Sequence, residues 1–130
     1  MDKQSCTERL KELNVYDLFS YRPEVKVIPR VLPEGEEIQS VSAGISAGKK
    51  WLVVFGTSHA YFIHTHLVNG TITRKVPYDS IRSFELRKGL LFGRIDLFMG
   101  EEGIKVENCP RRTIDAVEET LRRYTDPRKV

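Results

Sequence analysis

At 130 residues the chain has the size of one domain and can bury a core without disulfide or metal staples. Its 40% hydrophobic and 30% charged content excludes a disordered or fibrous chain. The net charge of +3 comes from 21 basic and 18 acidic residues spread along the whole length; this argues against a nucleic-acid binder, which concentrates its Lys and Arg on one face.

The two cysteines, Cys6 and Cys109, stand far apart and in no metal-ligand spacing, so two free thiols in a reducing compartment are expected. The first residues carry no apolar run of a secretory signal. Trp51 to Phe55 is the longest apolar stretch, far short of the roughly 20 residues of a membrane span. The expected location is the cytoplasm.

Ser5 to Asn14 reads as a short helix with Leu10 and Leu13 on one face. Tyr16 to Tyr21 adds a second turn carrying Leu18 and Phe19. Pro23, Pro29 and Pro33 then follow closely, and proline at that density predicts an extended connector from Arg22 to Glu34. Residues 1–31 are thus expected to form a helical segment plus connector.

After the Pro33–Glu36 turn, short segments of alternating polarity recur at about ten-residue spacing, the pattern of an antiparallel meander. The expected strands are Glu37–Ser46, Lys49–Gly56, His59–Leu67, Thr71–Val76, Ile81–Lys88, Leu90–Met99 and Ile104–Glu107. In the third, Tyr61, Ile63, Thr65 and Leu67 share one face; Ala60, Phe62, His64 and His66 share the other. Asn69-Gly70 predicts a type I′ hairpin turn. Pro77–Ser80 reads as a turn or a single helical turn. Gly93, inside the sixth strand, predicts a bulge.

The period then changes. Pro110 is placed as the first residue of a helix, and Ile114, Val117, Leu121 and Tyr124 form one apolar stripe. Pro127 stops the helix, leaving 126–130 as a tail. About seven short strands with a single amphipathic helix after the last predict a mainly β fold, a curled antiparallel sheet or barrel closed by that helix over residues 32–125.

Four stretches carry a family resemblance. Leu32-Pro33-Glu34-Gly35-Glu36-Glu37-Ile38 resembles the opening of bacterial pleckstrin-homology (PH) domains of the YokE-like type. Leu52 to Ile63, with Thr57 at its turn, resembles their next hairpin. Val76-Pro77-Tyr78-Asp79-Ser80-Ile81 and Lys88 to Ile95 resemble the lead-in to their fifth strand and the glycine-punctuated hairpin after it. The resemblance implies a PH-like barrel capped by one helix, and it implies no catalytic residues.

Candidate sites are few. Lys49 and Lys50, at the first hairpin, could hold a phosphate or an anionic membrane; equally, they could blunt a sheet edge. His64 and His66 make half a zinc site without the remaining ligands, so no metal is expected. Phe62, Phe92 and Phe98, with the two histidines, form an interaction surface if exposed. The alternative is that Leu10, Leu13, Leu18 and Phe19 cover them. No phosphate loop, nucleophile motif or paired-acid motif is present, so neither enzymatic activity nor a cofactor is expected. The expected role is a binding or assembly module acting on a protein partner or on a second copy of itself. A membrane-surface or anionic-ligand module is the alternative.

Overall fold

The computed structural model describes residues 2–66 and 68–125. Leu67, expected on the third strand, and the expected tail at 126–130 lie outside the described residues. Seven antiparallel strands, β1 (Ser40–Ser46), β2 (Lys49–Phe55), β3 (His59–His66), β4 (Gly70–Pro77), β5 (Ser83–Lys88), β6 (Phe92–Met99) and β7 (Glu102–Pro110), form one sheet in the order β4-β3-β2-β1-β7-β6-β5. A C-terminal helix follows, Arg111–Thr125.

The sheet turns a corner where β1 crosses β7, the two strands sharing only the pair Ile45↔Glu107. Gly44 permits the crossing: a Cβ there would lie 2.4 Å from the Glu107 carbonyl oxygen and 2.6 Å from Val106 Cγ1. Beyond the corner the inner faces of the two halves meet. Val53, Phe55, Ala60 and Phe62 pack against Ile95, Leu97 and Val106, and Ile114, Val117 and Leu121 of the C-terminal helix close the gap. Two buried hydroxyl pairs tie that helix to β1, Ser40–Thr120 and Ser42–Thr113, each at 2.8 Å. Each satisfies two groups that would otherwise be desolvated without a partner.

A second core lies on the outer face of β1–β3. The N-terminal arm comprises α1 (Lys3–Glu12), α2 (Tyr16–Phe19), a 3-10 turn (Pro23–Val27) and α3 (Ile28–Val31). It buries Cys6, Leu10, Phe19 and Ile28 against Val41, Leu52, Val54, Tyr61 and Ile63. Both thiols are free and buried, Cys6 in this outer core and Cys109 in the inner one. With α4 given to the C-terminal helix, the arm is anchored to it by Arg112, which reaches Asp17 at 2.6 Å and the Asn14 carbonyl at 3.1 Å.

Three local expectations are corrected. The connector is not extended but helical. Pro23 and Pro29 each sit in the first turn of a short helix, where the missing N–H has no partner to lose. Pro110 ends β7 instead of opening the helix, because it still pairs with Phe92. The Asn69-Gly70 turn is not type I′: His66 pairs with Gly70, three positions separate them, and of the two turn residues only Gly70 has positive φ. A tight two-residue turn with positive φ at both positions sits instead at Ala47-Gly48, with φ of 51° and 77°. Gly93 does mark a bulge, as the register of β6 on β7 shifts between Gly93 and Ile95.

Candidate functional site

The groove at one end of the barrel is framed by the arm, and the arm together with the Pro33–Glu36 turn that follows it is fixed to the sheet at both ends. At one end Glu36 is almost fully buried. Its carboxylate accepts from the backbone N–H and hydroxyl of Thr57, from those of Ser58, and from the Tyr61 hydroxyl at 2.6 Å. Burial pushes the Glu36 carboxyl up, but the hydrogen bonds from Ser58, Thr57 and Tyr61 outweigh it and hold the group at about 2. Gly56 leaves room for it, since a Cβ there would lie 2.5 Å from Glu36 Oε1. Burial, followed by the hydrogen bond to Glu36, pushes the Tyr61 hydroxyl well above its usual range.

At the other end Glu24 takes the place of a strand. The β2–β3 ladder stops at Leu52↔Ile63. Past that pair the Thr65 N–H donates to Glu24 Oε2 at 3.0 Å, and the Lys50 carbonyl accepts from His64 Nδ1 at 2.8 Å. Both backbone groups released by the splaying strands are therefore met by side chains. Arg22 balances the buried Glu24 at 3.1 Å.

The splay opens a hollow of about 650 Å³ lined by Tyr21, Arg22, Pro23, Lys49, Lys50, His64 and His66. A second hollow of about 280 Å³ adjoins it, lined by Leu18, Phe19, Tyr21, Ile45, Lys50, Phe92 and Pro110. Tyr21, Arg22 and Lys50 border both. The larger hollow is cationic. Arg22 is cancelled by Glu24, whereas among the described residues neither the Lys49 nor the Lys50 ammonium has an acidic partner. The smaller one shares Arg22 and Lys50 with it and adds the apolar side chains of Leu18, Phe19, Ile45, Phe92 and Pro110, with Tyr21 80% and Phe92 53% exposed at its rim.

Lys49, Lys50, His64 and His66 thus come together, and Phe92 lies next to them. Phe62 does not join them. It is 3% exposed and points into the inner core, where Trp51 meets it edge-on at 6.2 Å. It shares the parity of His64 and His66 on β3, but it lies where the barrel is closed and they lie where it has splayed. Leu10 and Phe19 of the arm bury the opposite face of β3, and Leu18, Phe19 and Tyr21 flank Phe92 in the smaller hollow without burying it. Phe98 is exposed at the far end of β6 from Phe92, roughly 20 Å away at 3.3 Å per residue.

The two histidines are not arranged as a ligand pair. Their rings are 6.5 Å apart, and His66 Nδ1 accepts from the N–H groups of Val68 and Asn69 at 3.1 and 3.2 Å. Among the described residues no group of three or more His, Cys, Asp or Glu is placed to hold a metal ion. No helix among them is long and apolar enough to cross a membrane.

A family model described as bacterial PH domain matches residues 32–123. Among solved structures, the chain is similar to a pleckstrin homology domain from Shewanella amazonensis SB2B, with 22% identity and a TM-score of 0.54 over 75% of this chain and 91% of that one. It is also similar to a DUF1696 family protein with a pleckstrin-homology domain from Shewanella loihica PV-4, at 15% identity and a TM-score of 0.54 over 75% and 86% of the two chains. No curated protein matches the chain. The structural neighbours share the fold, and the match begins just past the arm, so Arg22 and Tyr21, which complete both hollows, lie outside it.

Proposed function

We propose that this chain, which belongs to the bacterial PH domain family, is a non-catalytic cytoplasmic binding module that docks an acidic protein segment bearing a bulky apolar side chain. The observation that carries this reading is the joined pair of hollows bordered in common by Tyr21, Arg22 and Lys50, the larger adding Lys49 and the smaller adding Leu18, Ile45, Phe92 and Pro110. Acidic side chains would meet Lys49 and Lys50, and an apolar side chain would settle against Ile45, Phe92 and Pro110. Tyr21 offers contact area at low entropic cost, and Arg22 is already held in place by Glu24. The segment can belong to another protein or to a second copy of this chain.

The test is a peptide library of acidic sequences with one central Leu, Phe or Trp, passed over the immobilised full chain alongside its Lys49→Glu/Lys50→Glu variant. Light scattering is run on the same sample. Retention of such peptides by the native chain and their loss by the variant supports the reading. A solution mass at a multiple of 15.0 kDa that collapses to one copy in the variant identifies the partner as the chain itself. A strict monomer retaining no peptide overturns it.

A further inference from the structure

The β5–β6 turn breaks the chemistry of its own hairpin. Lys88 pairs with Gly93, and the Gly89 N–H donates to the Phe92 carbonyl at 2.8 Å. Leu90 and Leu91 therefore occupy the two central positions of the turn, where Gly, Asn and Asp are the usual choices. Leu90 is 89% and Leu91 73% exposed, and Phe92 continues the run. Three consecutive apolar side chains in water contradict the pattern of a solvated turn, and such local violations mark function.

The charges near the tip are ordered by distance along the strands. Arg87 and Lys88 precede the leucines by three and two residues, and Arg94 follows Leu91 by three. Arg87 and Arg94 pair with Glu85 and Asp96, which are each set two register steps further from the tip, and Lys88 pairs with Asp115 of α4 at 2.9 Å. Arg111 opens α4 directly after Pro110, the strand partner of Phe92; among the described residues it has no ion-pair partner. The tip is thus an apolar point backed by four cations, Arg87, Lys88, Arg94 and Arg111, against three acids, Glu85, Asp96 and Asp115. It is convex, so a protein partner would need a matching pocket, whereas a bilayer interface accepts apolar side chains without one.

We propose that Leu90, Leu91 and Phe92 form a wedge that enters the interface of an anionic lipid bilayer, with Arg87, Lys88, Arg94 and Arg111 against its headgroups. The apolar insertion and the cations act together, since neither signal alone gives stable attachment. The wedge shares Phe92 with the smaller hollow but uses neither Lys49 nor Lys50, and its two leucines line neither hollow, so changing Leu90 and Leu91 tests the wedge apart from peptide docking.

The experiment is co-sedimentation of the full chain with phosphatidylglycerol vesicles and with phosphatidylcholine vesicles at low ionic strength. Preferential binding to phosphatidylglycerol is expected, with a drop of about tenfold in apparent affinity for Leu90→Ser/Leu91→Ser and none for Phe98→Ser at the far end of β6. The double serine variant should retain acidic peptides as the native chain does. As a second readout that does not depend on that variant folding, Leu91→Trp should show a blue-shifted emission on adding phosphatidylglycerol vesicles. Absence of binding to the anionic vesicles, equal binding by the double serine variant, or an unshifted Leu91→Trp emission would each overturn the proposal.

Discussion

The outer face of β1–β3 and the outer face of β5–β7 are built on the same pleat, yet the first is covered by the N-terminal arm and the second meets water. The difference is written in the side chains. On the covered face Val41, Leu52, Val54, Tyr61 and Ile63 are apolar. On the open face Glu85, Arg87, Lys105 and Glu107 are exposed and charged, and the half-buried Arg94 pairs with Asp96 at 3.1 Å. The strands accordingly read differently: β2 and β3 are buried on both faces and lose their alternation, whereas β7 keeps it. The comparison teaches that covering one half of the sheet also makes the groove, because the arm ends its cover where β2 and β3 separate.

Breaking the covered face should have the largest effect. Removing residues 1–31 would expose the whole apolar outer face of β1–β3, and the shortened chain is expected to aggregate in a solubility assay, whereas a soluble monomer would show that the arm is an accessory. Phe19→Ala removes one buried ring from that interface and should cost about 3–5 kcal/mol in urea unfolding. Glu36→Gln should come next, at roughly 2–3 kcal/mol, because a neutral amide cannot accept from all five donors that converge on the carboxylate.

Glu36 also gives the covered half an acid limit. Its carboxyl lies at about 2 in the folded protein against 4.5 in the ordinary group. The folded state therefore binds the proton less readily, so its contribution is complete above about pH 5 and is lost as pH falls toward 2. With solvent screening allowed for, the contribution is on the order of 1–2 kcal/mol. Urea unfolding at pH 6 and pH 3 should show that loss in the native chain and not in Glu36→Gln. The smallest effect belongs to the open face: Phe98→Ala is expected to shift stability by less than about 1 kcal/mol.

The sequence made parts of this comparison legible. Strand spacing and glycine placement marked the seven strands, and the Ile114–Tyr124 stripe marked the closing helix, because both signals are local periodicities. The face of Phe62 was not legible. Tyr61 and Phe62 are neighbours with opposite orientation and are both buried, so alternation could not say which side met solvent. The helical connector was missed because proline tolerance depends on its position within a helix, and a helix start is hard to see in a segment with no polar cap. The groove was half legible. Lys49, Lys50, His64 and His66 stood out as residue types, but only the end of the β2–β3 ladder joins them, and only the arm supplies Tyr21 and Arg22. Glu36 carried no local signal; its partners Thr57, Ser58 and Tyr61 lie more than twenty residues away, although the family resemblance had separately picked out both stretches.

The central claim is that ligand contact occurs at the paired hollows bordered by Tyr21, Arg22 and Lys50. The most direct measurement is amide chemical-shift mapping of the full chain while a retained acidic peptide is added. Shifts concentrated at Tyr21, Arg22, Ile45, Lys49, Lys50 and His64, with Ser83, Glu85 and Phe98 unmoved, are the predicted result. Shifts concentrated around Ser83, Glu85 and Phe98, or spread evenly over the surface, would contradict it.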